Sequence, residues 1–565
     1  MDSDTSEIDD ENFFLAPDGK TNAKSELKAT LNGLLNEKRF DDNSTACRFP
    51  ARKDWLQKEL NITALPEVKC LKYNKLLKRL NPKSVTLVFP SAHINSPASM
   101  FGHTFLRINS AYQSKLLSYA VNYAANANPD TENGVVFAIK GLFGGYYGSY
   151  SLLPYYDKLK EYRDTEQRDI WEYDLNLDNE EVLNMVKHIW ELNRVYSKYY
   201  FFTQNCSYNM LWLLEIARPN VNLRDYFNYQ VPPLETVYVS AQEDLLSGSN
   251  YRASKRTKLL KYESLINSRY LKIPTQLVQS ELKIKHILND KSIITQQKMY
   301  ILEAAIELLE YFFTKNKIDK KYYLEKFHRL TKARATLGIG QRIEIDTPVN
   351  PIHSHRAVRT SLGYSYREEQ SLGLIGLRPA YHSLEDIQYG LLRGTQIEFM
   401  DLMFNYKNNQ LDIENITLLS IASIAQRSAF FKNFSWRTNF SWDREYLDSE
   451  VHFQGSIGAG YSWGNDLGYI YFLLDPLFHY KKKIVPAING SIGLMIDKYN
   501  YMNTNIEVSQ RWYEKNDKQV FINLVQSFRV LENFQVKFKY MYKKRWINTD
   551  QDKEITSTIM GSYYF

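Results

Sequence analysis

No run of about 18 uncharged apolar residues occurs anywhere in the 565-residue chain, so no helix able to cross a bilayer is expected. Cysteine is almost missing. Cys47, Cys70 and Cys206 are the whole complement, too few for a disulfide-rich scaffold or a zinc ribbon. There is no HExxH string and no CxxC pair, the ten histidines are dispersed, and acidic residues do not gather at ligand spacing. A catalytic metal is therefore not expected. Phosphate-cradling glycine patterns are also missing, since Gly141 to Gly148 lacks both a Lys-Ser/Thr ending and a following helix, and no cofactor is expected. A net charge of +7 over this length is too diluted to mark a nucleic-acid partner. Met1 to Asp10 is acidic, with neither the basic n-region nor the apolar h-region of a secretory signal, which leaves a cytosolic chain or one whose signal has been removed.

Aromatic residues are abundant: 42 Tyr, 29 Phe and 9 Trp make up 14% of the chain, an excess that suits sheets and membrane-interface girdles. From about His355 to Phe565 the sequence breaks into short segments of period-two alternation separated by polar turns. Phe434, Trp436, Phe440 and Trp442 alternate with Ser435, Arg437, Asn439, Ser441 and Asp443. Phe534, Val536, Phe538, Tyr540 and Tyr542 alternate with polar residues that include Lys537, Lys539 and Lys543. Strands of this kind closing into a barrel would carry lysines inside, which a dry soluble core would not tolerate. About twelve segments are present, each near the ~9–11 residues that a tilted strand needs to span a bilayer. The last, Ile555 to Phe565, finishes on an aromatic residue and resembles the insertion signal of bacterial outer-membrane barrels. The expectation is an all-β outer-membrane barrel over residues 350–565, with a soluble β-sandwich as the alternative. An even strand number puts both barrel ends in one compartment, the periplasm.

The first 350 residues mix helix and strand. Leu27 to Leu35, Asp178 to about Arg194, Met299 to Phe313 and Lys321 to Ala333 read as helices, the second opened by a capping-box-like Asp178 and Glu181. Val85 to Phe89, Thr104 to Ile108 and Leu116 to Tyr123 read as strands, and Leu337 to Pro351 as the best domain boundary. The expected organisation is an N-terminal helical region over 1–80 packing on a catalytic domain at 81–220, a helical extension at 221–340, and then the barrel. Cys47 and Cys70 lie close enough to close a short loop as a disulfide, the alternative being two buried thiols. Cys206 is then the odd thiol.

Cys206 follows Thr203-Gln204-Asn205 and opens the apolar helix containing Met210, Leu211, Leu213 and Leu214. On the first turn of a helix, free N–H groups and the positive end of the dipole lower a thiol's pKa. His103 begins a strand just after the small-residue turn Ser96-Pro97-Ala98-Ser99. An imidazole held opposite such a thiol is the pair that thioester chemistry requires. A His followed about a hundred residues later by Asn-Cys at a helix start matches the element order of the circularly permuted papain-like fold, as in lecithin:retinol acyltransferase-like enzymes.

The strings SAHINSPASMFGHTFLRI, GGYYGSYSLLPYY, RDIWEYDLNL and YYFFTQNCSYNMLWLLE, together with Cys47-Arg48-Phe49-Pro50-Ala51-Arg52, resemble the periplasmic domain of Lnb-type bacterial lipoprotein N-acyltransferases, over roughly Cys47 to Pro219. The resemblance implies an α+β permuted papain-like domain with helical additions that transfers acyl groups through a Cys thioester. The donor would be membrane phospholipid and the acceptor the N-terminal amine of a lipoprotein. Mapped onto this chain, Cys206 takes the position of the nucleophile and His103 that of the base. Asn122 is the expected orienting residue by analogy with papain-like triads, with His93 as its rival. The oxyanion donors expected are the Cys206 backbone N–H and the side chain of Gln204 or Asn205. Tyr146 and Tyr147, in the glycine-rich Gly144 to Gly148 loop, are expected either in a plain turn or on a lid that meets an acyl chain. The same Cys and His pair also suits a cysteine hydrolase cutting peptide or peptidoglycan amide bonds, and a non-enzymatic channel or anchor is the third alternative.

Overall fold

The computed structural model describes residues 5–36, 38, 41–63, 65–91, 102–112, 117–126, 136, 140–141, 143–341, 343–547 and 550–565. Two compact units emerge, one built from Met1–Ser91 and Gly102–Ser254, the other containing Lys255–Phe565.

Among the described residues the first unit holds a seven-stranded sheet. Its strands are β1 (Pro82–Pro90), β2 (Phe105–Ser110), β3 (Tyr119–Ala125), β4 (Tyr146–Pro154), β5 (Ile170–Leu175), β6 (Tyr196–Tyr199) and β7 (Leu246–Arg252). The spatial order is β6-β4-β3-β2-β1-β5-β7, with antiparallel pairing throughout. Val85, Leu87, Val88 and Phe89 make β1 apolar on both faces, and all four are buried. A strand of that composition belongs in the middle of a covered sheet, and each such side chain contributes roughly 1.5–3 kcal/mol on burial. Helices Asn179–Glu191 and Pro233–Gln242 pack against β1, and helix Cys206–Ala217 packs against β2 and β3. The capping box at Asp178 and Glu181 is formed.

The first eighty residues are fastened to this unit at several points. Cys47 and Cys70 are bridged. Glu191 Oε1 accepts from Ala51 N at 2.7 Å and Arg52 N at 3.0 Å, closing the N-terminus of helix Pro50–Glu59, and Trp190 Nε1 donates to Cys47 O at 2.8 Å. The unit extends past residue 220 to Ser254, because β7 completes the sheet by pairing with β5 from Ile170↔Arg252 onward. The sequence hides this strand: Leu246-Ser247-Gly248-Ser249-Asn250 is polar and lies on an exposed edge.

The glycine-rich stretch also differs from expectation. Tyr146, Tyr147 and Gly148 lie in β4, not in a turn or a lid, and pair with β6 at Tyr146↔Tyr199. Gly148 is needed for close approach, since a Cβ there would come within 2.5 Å of the Tyr123 hydroxyl.

The second unit closes a sheet on itself. The long strands are β8 (Arg359–Arg367), β9 (Gln370–Arg378), β11 (Thr395–Lys407), β12 (Gln410–Ser423), β14 (Ser435–Asp443), β15 (His452–Gly464), β16 (Gly468–Tyr480), β17 (Ile484–Ile496), β18 (Met502–Tyr513), β19 (Lys518–Leu531), β20 (Phe534–Ile547) and β21 (Asp550–Tyr564). The short β10 (Ala380–His382) and β13 (Gln426–Arg427) attach to β11 and β15. The order closes because β21 pairs with β8 and β9 pairs with β11, giving twelve strands without a free edge among the described residues. Alternation decides which face meets what. Along β16, Tyr469, Tyr471 and Leu473 are buried while Ile470, Phe472 and Leu474 are exposed; Lys537 and Lys543 point inside and are buried. An apolar exterior around a polar interior, with no unpaired edge, is the form in which strands cross a bilayer. Arg359 and Tyr564 are register partners, so the barrel starts and finishes at one end.

Helices Lys255–Leu265, Ile273–Val278, Ile284–Asn289, Thr295–Thr314 and Lys320–Ala335 belong to this unit. Their core, built on Leu302, Leu308, Leu309 and Leu330, takes in Phe430 and Phe431 from the β13–β14 connection. Glu263 Oε1 accepts from Ala429 N at 2.7 Å, and Arg256 lies 4.7 Å over the Phe431 ring.

Candidate active site

Cys206 is the first residue of helix Cys206–Ala217, and it is a free, buried thiol. The helix begins there because Asn205 caps it: Asn205 Oδ1 accepts from Ser207 N at 2.9 Å and Tyr208 N at 3.1 Å. Both protons of the Asn205 amide are also engaged, on Phe201 O and Val231 O, each at 2.9 Å. This corrects the expectation for Asn205. Its side chain holds the helix start and has no donor left for a substrate oxyanion. Gln204 is half-buried in the bend two residues before the thiol.

His103 lies two residues before β2, rather than beginning the strand as expected, and Asn122 lies on the neighbouring β3. His103 Nε2 and Asn122 Oδ1 are 2.7 Å apart, which fixes Nε2–H as the donor and leaves Nδ1 for the thiol. The Tyr162 ring lies 5.7 Å from the imidazole and the Phe105 ring 6.3 Å, holding it from the side. His93 and the Ser96-Pro97-Ala98-Ser99 turn lie outside the described residues.

The electrostatics pair the two groups. Burial works to raise the Cys206 pKa, but His103, by charge and by hydrogen bond, with help from the Thr104 backbone and Ser207, brings it down to about 7. Burial works to lower the pKa of His103, and the Cys206 thiolate together with the hydrogen bonds to Cys206 and Asn122 more than offset it, so the imidazole is held above its ordinary value. The opposite shifts describe a thiolate–imidazolium pair, the reactive form of a cysteine nucleophile. Beneath it Thr104 Oγ1 and Ser207 Oγ are hydrogen-bonded at 2.9 Å, tying β2 to the helix that carries the thiol.

Sequence reasoning missed Tyr199. Half-buried at the end of β6, it places its hydroxyl against the Cys206 backbone N–H, and desolvation followed by the nearby thiolate holds the phenol protonated. Tyr146 is its cross-strand partner and is buried. Tyr147 is exposed and packs edge-on against Tyr196 at 4.8 Å. The one signal for Tyr199 was its place in the tyrosine-rich string leading to Cys206, which composition alone does not separate from core packing.

Residues 72–242, which contain Cys206, His103, Asn122 and Tyr199, match the family model of the Lnb N-terminal periplasmic domain. The chain carries an Lnb-type periplasmic domain. Three domains of unknown function match further segments: DUF7843 over residues 1–59, DUF7842 over 249–344 and DUF7840 over 348–563. No curated protein matches the chain. Solved structures similar to the barrel include the NanC porin (8% identity, 36% of this chain and 100% of that chain, TM-score 0.25). The KdgM porin is another (9%, 37% and 99%, TM-score 0.24), as is an anion-selective porin from Comamonas acidovorans (7%, 37% and 98%, TM-score 0.22). The assignment as an outer-membrane barrel rests on the closed twelve-strand sheet and its apolar exterior. The Lnb-type domain accordingly lies in the periplasm.

Proposed function

We propose that the Lnb-type domain is a thiol acyltransferase that takes an acyl chain from a membrane phospholipid and delivers it to the N-terminal amine of a lipoprotein. The observation that carries this reading is the Cys206, His103 and Asn122 arrangement within the segment that matches the Lnb domain. In the first half-reaction the Cys206 thiolate attacks the ester carbonyl carbon. A carbon–sulfur bond forms, the ester carbon–oxygen bond breaks, and the imidazolium of His103 gives its proton to the departing glycerol oxygen. In the second, the neutral amine attacks the thioester. The amide bond forms, the carbon–sulfur bond breaks, and His103 takes the proton shed by the amine, restoring the ion pair. In both halves the negative oxygen of the tetrahedral intermediate would be met by the Tyr199 hydroxyl, which the Cys206 backbone N–H holds beside the thiol. Asn122 keeps the imidazole in the tautomer and rotation that point Nδ1 at the thiol.

The test is mass spectrometry of lipoprotein N-termini from a strain lacking its own N-acylation. Expression of this chain should add one acyl group to those amines, and expression of the Cys206→Ala or His103→Ala chain should not. Free amines with the wild-type chain, accompanied by cleavage of a peptide or peptidoglycan amide, would move the assignment to a cysteine hydrolase.

A further inference from the structure

Surface connections normally run through water, because their backbone polar groups must be satisfied. The connection from β9 to β11 does otherwise. Ser383, Leu384, Asp386 and Ile387 are buried, and the barrel wall supplies their partners. Asp386 accepts from Lys537 Nζ on β20 at 2.6 Å, Arg378 Nη2 on β9 at 2.7 Å and the Tyr564 hydroxyl on β21 at 2.7 Å. Asn503 on β18 donates to Leu384 O at 2.9 Å and Asp386 O at 3.0 Å, and Ser527 on β19 donates to Glu385 O at 2.6 Å. Across the lumen Leu384 packs in one apolar cluster with Tyr471 and Leu473 of β16 and Met495 of β17. The segment therefore spans the interior from wall to wall, at the end where the barrel starts and finishes. A carboxylate with no exposure, met by donors from three strands, is a latch that would be costly to break.

The other end is closed by different residues. Between β14 and β15, Lys543 Nζ on β20 donates to Arg444 O and to Ser449 Oγ, each at 3.1 Å, and Arg545 Nη1 donates to Leu447 O at 3.2 Å. Tyr446 lies 4.5 Å from the His452 ring and 5.0 Å from the His479 ring, and Leu447 is buried with Leu477 and Tyr513. Between the two inturned segments remains a cavity of about 460 Å³, whose lining includes Leu384 and Glu385 from one segment and Glu445 from the other.

We propose that the barrel is sealed at both ends by these two segments of its own chain and serves as a non-conducting anchor, with an isolated polar chamber between the seals. The role goes beyond the acyl-transfer reading and does not depend on it. Full-length protein in planar lipid bilayers should give no stepwise conductance above protein-free bilayers. Replacing residues 384–391 or 444–450 singly with a Gly-Ser segment of equal length should leave it silent, because the opposite seal persists; replacing both should open steps. Heat-modifiable migration on gels checks that each variant still closes its barrel. A second measurement keeps both seals: in a Cys206→Ala background, Asn523→Cys on the chamber wall should resist a bulky charged maleimide until the protein is denatured. Stepwise conductance by the wild type, labelling of that thiol in the folded protein, or silence of a closed-barrel double replacement would each overturn the proposal.

Discussion

The two sheets of this chain handle charge in opposite ways. In the periplasmic sheet apolar residues fill the interior, and the few buried charges sit in small closed sets, as where Arg107, Arg252 and the Tyr155 hydroxyl share Glu172. Arg107 meets Glu172 at 2.7 Å with both side chains at zero exposure, and the reactive thiol sits beside a single imidazole. In the barrel the apolar residues face outward and the charges crowd inside, where Arg437, for example, binds both Asp475 at 2.7 Å and Glu507 at 2.8 Å. The difference is one of solvent. A sheet folded in water must keep its interior dry, and there a lone pair of charges gains the strength that catalysis uses. A sheet folded in lipid must turn its oil outward, and its interior charges serve to hold strands and inturned segments together.

The comparison can be broken at the nucleophile first. Cys206→Ala should reduce acyl transfer by more than about 10³-fold while leaving both the circular dichroism spectrum and the heat-modifiable migration unchanged. Retained activity would move the chemistry elsewhere. Next in size is the dry ion cluster: Glu172→Ala removes the carboxylate that Arg107, Arg252 and the Tyr155 hydroxyl share and should destabilise that unit by about 3–5 kcal/mol, seen as early proteolysis of the periplasmic unit with the barrel intact. If the barrel melts at the same point, the two sheets do not behave as separate units. The Cys47–Cys70 bridge closes a loop with a separation of 23 residues, so the paired serine variant should lose about 3 kcal/mol, again confined to the periplasmic unit. Denaturant unfolding followed by tryptophan fluorescence reads this difference.

The smallest expected effect is a pH shift. The rate of Cys206 alkylation should rise with a midpoint near pH 7, because the thiolate is the species that reacts and the thiol's pKa is lowered to about 7. His103→Ala removes the main influences that lower it and leaves burial, which raises it, so the midpoint should move above 9, the ordinary cysteine value against which the shift is measured. An unchanged midpoint would mean that the helix start alone activates the thiol.

Much of this was legible in the sequence because it depends on short periods and on residue type. Period-two alternation with interior lysines marks a barrel, and a thiol opening a helix together with a histidine at the head of a strand marks the two groups that the structure pairs. Asn122 could be picked from its place on the adjoining strand, and His103 does meet it at 2.7 Å. What stayed hidden depends on partners distant in sequence. Asn205 has the residue type of a helix cap as well as that of an oxyanion donor, and only Phe201 O and Val231 O show that its amide is spent. The polar β7 falls within the expected helical extension, and only its pairing with β5 shows it to be a strand. Nothing local to Asp386 announces that Lys537, Arg378 and Tyr564 converge on it.

The central claim is that Cys206 carries the acyl chain, and intact-protein mass spectrometry after incubation with phospholipid vesicles, without acceptor, tests it most directly. The account predicts a mass increase of one acyl chain that is removed by hydroxylamine, is missing from Cys206→Ala and is accompanied by an equal amount of lysophospholipid. Lysophospholipid formation with no adduct on Cys206, or an adduct that survives in Cys206→Ala, would contradict it.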